Sequence, residues 1–288
     1  MRRLALPLIC LALITRGAAA QLPAAWDSVA RVLQTPAVMS PGYVRYNFPR
    51  RDLTLRIGDV TVSPALALGA WAGFGGDPSD AELMGDLVLT ADEVRPVQAE
   101  LMRQGIVVMA VHNHLVGETP TITYLHYHAR GPATALAARL DQVLARTGLP
   151  RPVTPAAPAP VTIDTAQVFR VLGQSGRAAG GVAQLTFILV SGPVTMDGRV
   201  LAPALAYGTP VNIQMVGEGR AVATGDFSVV GAKAEPVTLA LASHGIAATA
   251  MHSHLVGESP VVYYIHFWAD GTLADVLAGL RAAVDAAR

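Results

Sequence analysis

Two nearly identical histidine-rich segments contain the residue types in this sequence that could do chemistry. The first reads HNHLVGETPTITYLHY from His112, and the second reads HSHLVGESPVVYYIHF from His252. Each has two histidines two residues apart, then a glutamate, then a further histidine. Imidazole and carboxylate groups bind transition metals and also act as general acids and bases. The pattern therefore predicts a metal site or an acid–base site.

The first two histidines of each segment are predicted metal ligands. Residues two apart on a β-strand share a face, with Cα atoms about 6.6 Å apart. His112 and His114 should therefore project together, as should His254 and His252. Such a pair suits one divalent transition metal, Zn²⁺, Cu²⁺ or Fe²⁺, and this is the expected cofactor.

A glutamate at the bend of each segment is the predicted catalytic residue. Glu118 and Glu258 follow the predicted strand, next to a glycine that permits a positive φ. From the bend, a carboxylate could turn back as a third ligand or act as a general base toward metal-bound water.

His126 and His266 are predicted as further ligands, although the geometry leaves alternatives. A tight hairpin centred between Gly117 and Glu118 would pair His112 with Thr123 and leave His126 roughly 10 Å farther along the strand. His126 would reach the same ion only with a wide loop, a bulge or non-adjacent strands. Otherwise it would orient Glu118 or complete a site in the other segment's domain.

Three other interpretations of the histidines compete with metal binding. They could form a structural hydrogen-bond network, perform metal-free acid–base chemistry or bind a sugar. Polar side chains are costly to bury without partners, and here they recur together in one register. We therefore favour metal binding.

The two segments belong to two tandem copies of one unit. An offset of 140 residues relates the histidines and extends back to Gly85-Asp86 and Gly225-Asp226, which we predict to be turns. Farther upstream the offset becomes 139, as for Phe48 and Phe187. We predict a first domain over residues 21–149, a Pro/Ala-rich linker over residues 150–163 and a second domain over residues 164–288.

The order of elements within a unit predicts an α+β fold. Helical spacing appears near the start, after Thr90 and at the end, with strand-like alternation between these segments. Each domain is expected to be a mostly antiparallel sheet with packed helices. Tyr124 and Tyr264 are predicted to be core residues rather than substrate contacts.

The N-terminus predicts export, and the charge balance excludes some partners. Residues 1–20 have basic residues, a short apolar run and a small-residue site, so we predict a signal peptide cleaved after Ala20. Cys10 lacks the small residue that a lipobox requires before its cysteine, which disfavours a lipid anchor.

The remaining chain has 18 basic and 21 acidic residues and no basic run, which argues against nucleic-acid binding. No later segment is apolar for long enough to span a membrane.

The chain resembles the LppY/LpqO family of bacterial envelope proteins. The resemblance is carried by the run from Gly85 through Glu93, Gly105, His112-Asn113-His114, Pro120 and His126 to Gly131. It implies export and duplication but no reaction. Together the observations predict an exported, periplasmic or secreted, metal-binding protein that could act as an enzyme on an envelope or small-molecule substrate. The alternative is a non-catalytic envelope module that binds glycan or protein.

Overall fold

The chain folds into two similar α+β units, which confirms the predicted fold class. The computed structural model describes residues 24–154, 160 and 162–288, so the predicted signal peptide lies outside the described residues. Each unit contains a six-stranded sheet in which every neighbouring pair of strands is antiparallel. Among the helices of these ranges, none has the length and apolarity needed to cross a bilayer.

The first unit contains four helices and nine strands within residues 24–144. In chain order they are α1 (Ala24–Leu33), β1 (Ala37–Ser40), β2 (Tyr43–Pro49), β3 (Leu55–Ile57), β4 (Val60–Val62), α2 (Pro64–Ala67), β5 (Gly69–Gly75), β6 (Ala81–Thr90), α3 (Ala91–Arg103), β7 (Val107–His112), β8 (Glu118–Thr119), β9 (Ile122–Gly131) and α4 (Ala133–Leu144). The sheet order is β1-β2-β5-β6-β9-β7, and β4, β3 and β8 form a small second sheet.

The second unit repeats this order with small differences. Its elements are α5 (Thr165–Leu172), β10 (Gly176–Ala179), β11 (Val182–Phe187), β12 (Thr195–Met196), β13 (Arg199–Val200), α6 (Pro203–Ala206), β14 (Thr209–Met215), β15 (Arg220–Val230), α7 (Gly231–Ser243), β16 (Ala247–His252), β17 (Val262–Thr272) and α8 (Leu273–Ala287). The sheet order β10-β11-β14-β15-β17-β16 is equivalent to that of the first unit.

Each large sheet has an apolar face covered by helices and a more polar face. Alternate residues of a strand point to opposite faces. In the first unit one set of alternate residues, including Phe48, Phe74 and Leu125, is fully buried with the apolar sides of α1, α3 and α4. The other set carries polar groups such as Arg45 and Asp86. The helices therefore leave one face of each sheet free to meet the other unit.

The short helices α2 and α6 pack reciprocally between the units. Asn212 Nδ2 on β14 donates a hydrogen bond to the carbonyl of Leu66 in α2, at 2.9 Å. In the equivalent place, Leu205 of α6 packs on Gly73 of β5, where an added Cβ would lie 2.4 Å from Leu205 Cδ1. Each unit therefore places its short helix on the other unit's sheet, as expected for an approximate two-fold arrangement.

The predicted turns at the two Gly-Asp pairs are wrong, because both pairs lie inside long strands. Gly85 and Asp86 belong to β6, and Gly225 and Asp226 belong to β15. The glycines are needed for close backbone approach rather than for turning. A Cβ on Gly225 would lie 2.0 Å from the carbonyl oxygen of Pro210 on the neighbouring chain segment.

Candidate metal centre

Strand register brings the later histidine of each segment onto the same face as the first. Antiparallel partners share a face, and a one-residue slip would reverse every side chain. His112 pairs with Tyr124, not with Thr123 as a tight hairpin requires, and His126 pairs with Ala110 after a bulge near Val108. The wide-loop alternative is therefore the correct one. The second unit has the same arrangement, with Tyr264 opposite His252.

Six histidines, three from each unit, meet where the two polar faces join. The ring centres of His112 and His252 are 4.0 Å apart. Two further contacts cross between the units and correspond to each other by the repeat. They are His126 with His254, at 3.7 Å, and His114 with His266, at 4.1 Å. The approximate two-fold axis therefore passes between His112 and His252.

Hydrogen bonds at Nδ1 fix the tautomer of three of these rings. His112 Nδ1 lies 2.8 Å from the carbonyl of Asn113, and His252 Nδ1 lies 3.0 Å from that of Ser253. Because a carbonyl oxygen only accepts, each Nδ1 must carry the proton. His266 Nδ1 lies 2.6 Å from Asp226 Oδ1 and donates to this carboxylate in the same way. In all three neutral rings, the lone pair is therefore on Nε2.

The Nε2 atoms converge on one point. His266 Nε2 is 2.9 Å from His252 Nε2 and 3.2 Å from His254 Nε2. His112 Nε2 is buried and has no hydrogen-bond partner among the residues described. Ligand atoms of these four histidines all lie within 4.8 Å of one another. Nitrogens bound tetrahedrally to one Zn²⁺ would be about 3.3 Å apart, which is close to the two measured separations.

A second convergent group shares one residue with the first. It consists of His114, Asp226 and His266, whose ligand atoms also lie within 4.8 Å of one another. His114 Nε2 is 3.0 Å from Asp226 Oδ1, so this carboxylate contacts one histidine from each unit. The histidine and aspartate groups could thus hold a metal ion.

Burial lowers the pKa of five of the six clustered imidazoles and so favours their neutral form. It lowers the pKa of His266 to about 4 and that of His126 to about 3, with further lowering from neighbouring histidines. The pKa values of His112, His252 and His254 are also lowered, again chiefly by burial. The neutral ring is the form that binds metals.

The two aspartates of the cluster are related by the repeat but have opposite electrostatic environments. Burial raises the pKa of Asp86 well above its usual range, and the charge of Asp226 raises it further. Burial also acts to raise the pKa of Asp226, but His266 and His114 outweigh this and hold it well below its usual range. Asp86 Oδ1 is 3.8 Å from His126 Nε2, too far for a hydrogen bond. Asp226 is therefore the charged member of the pair.

Neither predicted catalytic glutamate is among the convergent groups. Both are buried, and each carboxylate accepts a hydrogen bond from a backbone N–H four residues later in its loop. Glu258 Oε1 is 3.0 Å from Val262 N and also accepts from the Ser253 hydroxyl, at 3.2 Å. These contacts organise the loop after the first two histidines. The catalytic role of Glu118 and Glu258 stays a prediction.

The two tyrosines of the histidine face are core residues, as predicted. Tyr124 and Tyr264 are each 2% exposed. Tyr124 donates its hydroxyl to the carbonyl of Ala67 at 2.6 Å, and Tyr264 donates to that of Ala206 at 2.7 Å. Each tyrosine thereby binds the C-terminal end of its unit's short helix, and its ring contacts the histidine cluster.

Sequence reasoning gave the aspartates little weight. Asp86 pairs with His126 in the strand register, and Asp226 pairs with His266. The available signal was the apolar residues on both sides of each Gly-Asp pair, which favour a strand over a turn. In a strand, an aspartate kept in both copies would have been expected to point at a neighbouring polar residue.

A cavity of about 950 Å³ between the units opens onto the cluster. Its lining includes His114, His126 and Asp86 from the first unit and Asp226 and His254 from the second. Apolar and aromatic side chains form much of the remaining wall. The arrangement can therefore place a small molecule beside the convergent nitrogens.

The chain belongs to a family described as a domain of unknown function (DUF1259). The family model matches residues 27–146 and again residues 166–286, so the chain carries two copies. This description does not name the LppY/LpqO family, so that resemblance stays a prediction.

Comparisons with other proteins indicate no function for this chain. Among curated proteins, none matches the chain. The structure of EtuB from Clostridium kluyveri is similar, with 11% identity, 88% of this chain and 90% of that chain covered and a TM-score of 0.22. A trimeric bacterial microcompartment shell protein, PduB, has 11% identity, 88% and 89% coverage and a TM-score of 0.23. At these scores, neither likeness supports an argument about this chain.

Proposed function

We propose that the chain binds one divalent transition metal ion between its two repeats. The ligands are the Nε2 atoms of His112, His252, His254 and His266, so the first unit supplies one ligand and the second supplies three. His114 and His126 lie at the edge of this set, beside the cavity. Asp226 holds His266 in the ligating tautomer, as carboxylates do for many metal-binding histidines.

One observation carries the proposal. His252 and His266 both use their Nδ1 proton elsewhere, so two lone pairs face each other across 2.9 Å. Such a contact is repulsive between neutral rings and provides no hydrogen bond. A metal ion about 2.0–2.1 Å from each nitrogen converts the repulsion into two coordinate bonds.

The ligand set favours Zn²⁺ or Cu²⁺ over Fe²⁺. Imidazole nitrogens suit all three ions, but affinity at nitrogen sites rises from Fe²⁺ to Cu²⁺, and Zn²⁺ accepts a tetrahedral arrangement readily. The adjoining cavity supports a metal-dependent enzyme acting on a small molecule. In that case the ion acts as a Lewis acid toward a group bound beside His254.

We also propose that the protein is exported. A signal peptide over residues 1–20 and membership of an LppY/LpqO-like envelope group are supported by the sequence pattern alone. Expression in a bacterial host with N-terminal sequencing of the secreted protein tests this part. A mature chain beginning at Gln21 is expected, whereas an intact N-terminus on a cytoplasmic protein would refute export.

Elemental analysis of the protein, prepared without an affinity His tag, tests the metal site. Wild-type protein equilibrated with Zn²⁺ and then desalted is expected to retain about one ion per chain. His252→Ala and His112→Ala should each lose it, although these residues belong to different repeats. His244→Ala, at an exposed histidine outside the cluster, is the control that should retain it. Wild-type protein that stays metal-free after challenge with Zn²⁺, Cu²⁺ and Fe²⁺ would refute metal binding.

A further inference from the structure

Three arginines of the cavity lining have no ion pair among the residues described, and of these Arg45 is partly buried whereas Arg51 and Arg177 are exposed. Arg45 on β2 donates from Nε to Asn47 Oδ1, at 2.8 Å, and its guanidinium carbon lies 4.1 Å from the ring centre of Trp71. Within the described ranges, no aspartate or glutamate forms an ion pair with it. Arg50, on the opposite side of the same sheet, is by contrast paired with both Asp52 and Glu93. Arg45 is thus a fixed cation whose charge remains available to a ligand.

The strand register gives the separation between this cation and the histidine cluster. Trp71 on β5 pairs with Asp86 on β6, and Asp86 pairs with His126 on β9. Neighbouring strands are about 4.8 Å apart, so two spacings place the backbone of Trp71, on whose ring the guanidinium lies, roughly 10 Å from the backbone of His126. A small organic molecule spans this distance.

Apolar side chains contribute to the cavity wall between these two points. Trp71, Met84 and Leu205 line it, with Tyr43 beside Arg45, and the carboxyl group of Asp86 lies in the same row between Trp71 and His126. Leu205 comes from α6 of the second unit, so the docking of the two repeats closes this part of the wall. The wall therefore offers apolar surface to a ligand on either side of one carboxyl group.

We propose that the cavity binds a small organic carboxylate with an apolar body. The carboxylate pairs with Arg45, the body lies against Trp71 and Leu205, and the other end faces His126 and His254. An arginine with its plane fixed on an aromatic ring suits a carboxylate, because two parallel N–H groups can bind both oxygens. Placement of the far end at the metal rests on the proposed function, whereas the contact with Arg45 does not.

A difference between the two repeats determines the orientation in which the proposed ligand binds. Gln184 of β11 occupies the position equivalent to Arg45, since the two residues pair with equivalent residues of β14 and β5. Gln184 donates to the carbonyl of Ala65, at 2.8 Å, and is thereby used in docking α2. The approximately symmetric cavity therefore has a partly buried arginine on the first unit's side, whereas the matching residue is a glutamine that accepts a hydrogen bond from the exposed Arg177, at 3.2 Å.

Calorimetric titration with a matched pair of probes tests the proposal. The probes are 4-hydroxybenzoate and 4-hydroxybenzamide, which have similar shapes but differ in charge. Wild-type protein is expected to bind the carboxylate at least tenfold more tightly than the amide. Arg45→Gln, which copies the second repeat, should reduce carboxylate affinity about tenfold to a hundredfold and leave amide affinity unchanged. Arg177→Gln, at another arginine of the cavity wall, is the control expected to resemble wild type.

Titrations of both zinc-loaded and metal-free protein separate the two proposals. A carboxylate preference that disappears in Arg45→Gln supports the anchor, even if no zinc is retained and the metal proposal fails. Equal affinity of wild type for the two probes would overturn the anchor, as would no detectable carboxylate binding. Loss of carboxylate binding in Arg177→Gln but not in Arg45→Gln would also overturn it. The zinc content of Arg45→Gln should equal that of wild type.

Discussion

Replacement of Asp226 by asparagine should weaken metal binding, whereas the same replacement at its counterpart Asp86 should not. Asp226 Oδ1 accepts from His266 Nδ1 at 2.6 Å and so keeps the Nε2 lone pair of that ring available. An asparagine amide can donate to Nδ1 instead, which moves the proton to Nε2 and blocks the ligand atom. Asp86 makes no such bond, because its Oδ1 is 3.8 Å from His126 Nε2.

The expected size of the difference follows from these contacts. Loss of a carboxylate that orients a ligating histidine costs about 10- to 100-fold in metal affinity, or about 1.4–2.8 kcal/mol. Asp86→Asn should cost less than about fivefold, or about 1 kcal/mol. Burial and the charge of Asp226 raise the pKa of Asp86 well above its usual range, which favours the neutral form that asparagine resembles.

The assay is competition for Zn²⁺ between each variant and a chromophoric chelator at pH 7, with urea unfolding of the metal-free proteins as a control for folding. The two aspartates occupy equivalent strand positions, so general disturbance of the sheet should affect both variants alike. Wild-type affinity in Asp226→Asn would refute the assignment of Asp226 as the residue that orients His266. Equal weakening in both variants would refute the asymmetry of the site.

Three further substitutions test the packing around the site. Tyr264→Phe should lower the free energy of unfolding by about 0.5–1.5 kcal/mol, measured by urea titration, because a partly buried carbonyl at the end of α6 loses its partner. Arg50→Leu should cost about 3–5 kcal/mol because it leaves Glu93 buried without its cation, and Arg50→Leu with Glu93→Gln should recover part of this loss. Burial raises the pKa of Glu93 but the hydrogen bonds from Arg50 lower it overall, so the stabilisation by Glu93 exists above its unfolded pKa and is lost as pH falls through its folded value. Glu258→Gln should keep both stability and zinc content, because the amide oxygen still accepts from the loop N–H.

Each of these predictions has an outcome that would contradict it. Tyr263→Phe, at the more exposed tyrosine that precedes Tyr264, controls for hydroxyl removal and should change the free energy of unfolding by less than about 0.5 kcal/mol. An Arg50→Leu variant no less stable than wild type at pH 7 would show that the buried ion pair is not needed. Loss of zinc from Glu258→Gln would make Glu258 a metal ligand, as the sequence pattern allowed.

The sequence was sufficient to predict the repeat and the α+β class. These conclusions depend on local spacing, which the chain shows directly. The predicted pairing of the first two histidines on one strand face is wrong, because β7 and β16 end at His112 and His252, before the second histidine of each segment. Whether His126 and His266 reach the other histidines could not be decided from the sequence, because it depends on a register that differs by one residue from that of a tight hairpin. The one-residue difference arises in the loop before β9, and the sequence of the loop alone does not determine how wide the loop is.

The meeting of the two histidine sets was also beyond sequence reasoning. It depends on the docking of whole sheets through α2 and α6, where contacts such as Asn212 with Leu66 join residues far apart in the chain. The ligand pattern within one segment contains only residues of that segment and does not show which residues of the other repeat lie beside it. It therefore offered Glu118 as a third ligand or a general base, and gave a site shared with the other repeat as one alternative among several.

The duplication explains why the proposed metal site is asymmetric although the two repeats are related by an approximate two-fold axis. Two copies of a three-histidine face place six imidazoles around one axis, but a tetrahedral ion needs only four donors. An ion beside the axis therefore takes His112 with the three histidines of one unit, and the choice of unit must come from residues that differ in environment. Asp226 is charged and bonded to His266, which favours the second unit. Arg45, with glutamine in its place in the second unit, would hold the carboxylate end of the proposed ligand on the first unit's side. In the proposed division of roles, one repeat mainly holds the metal and the other mainly holds the molecule that meets it.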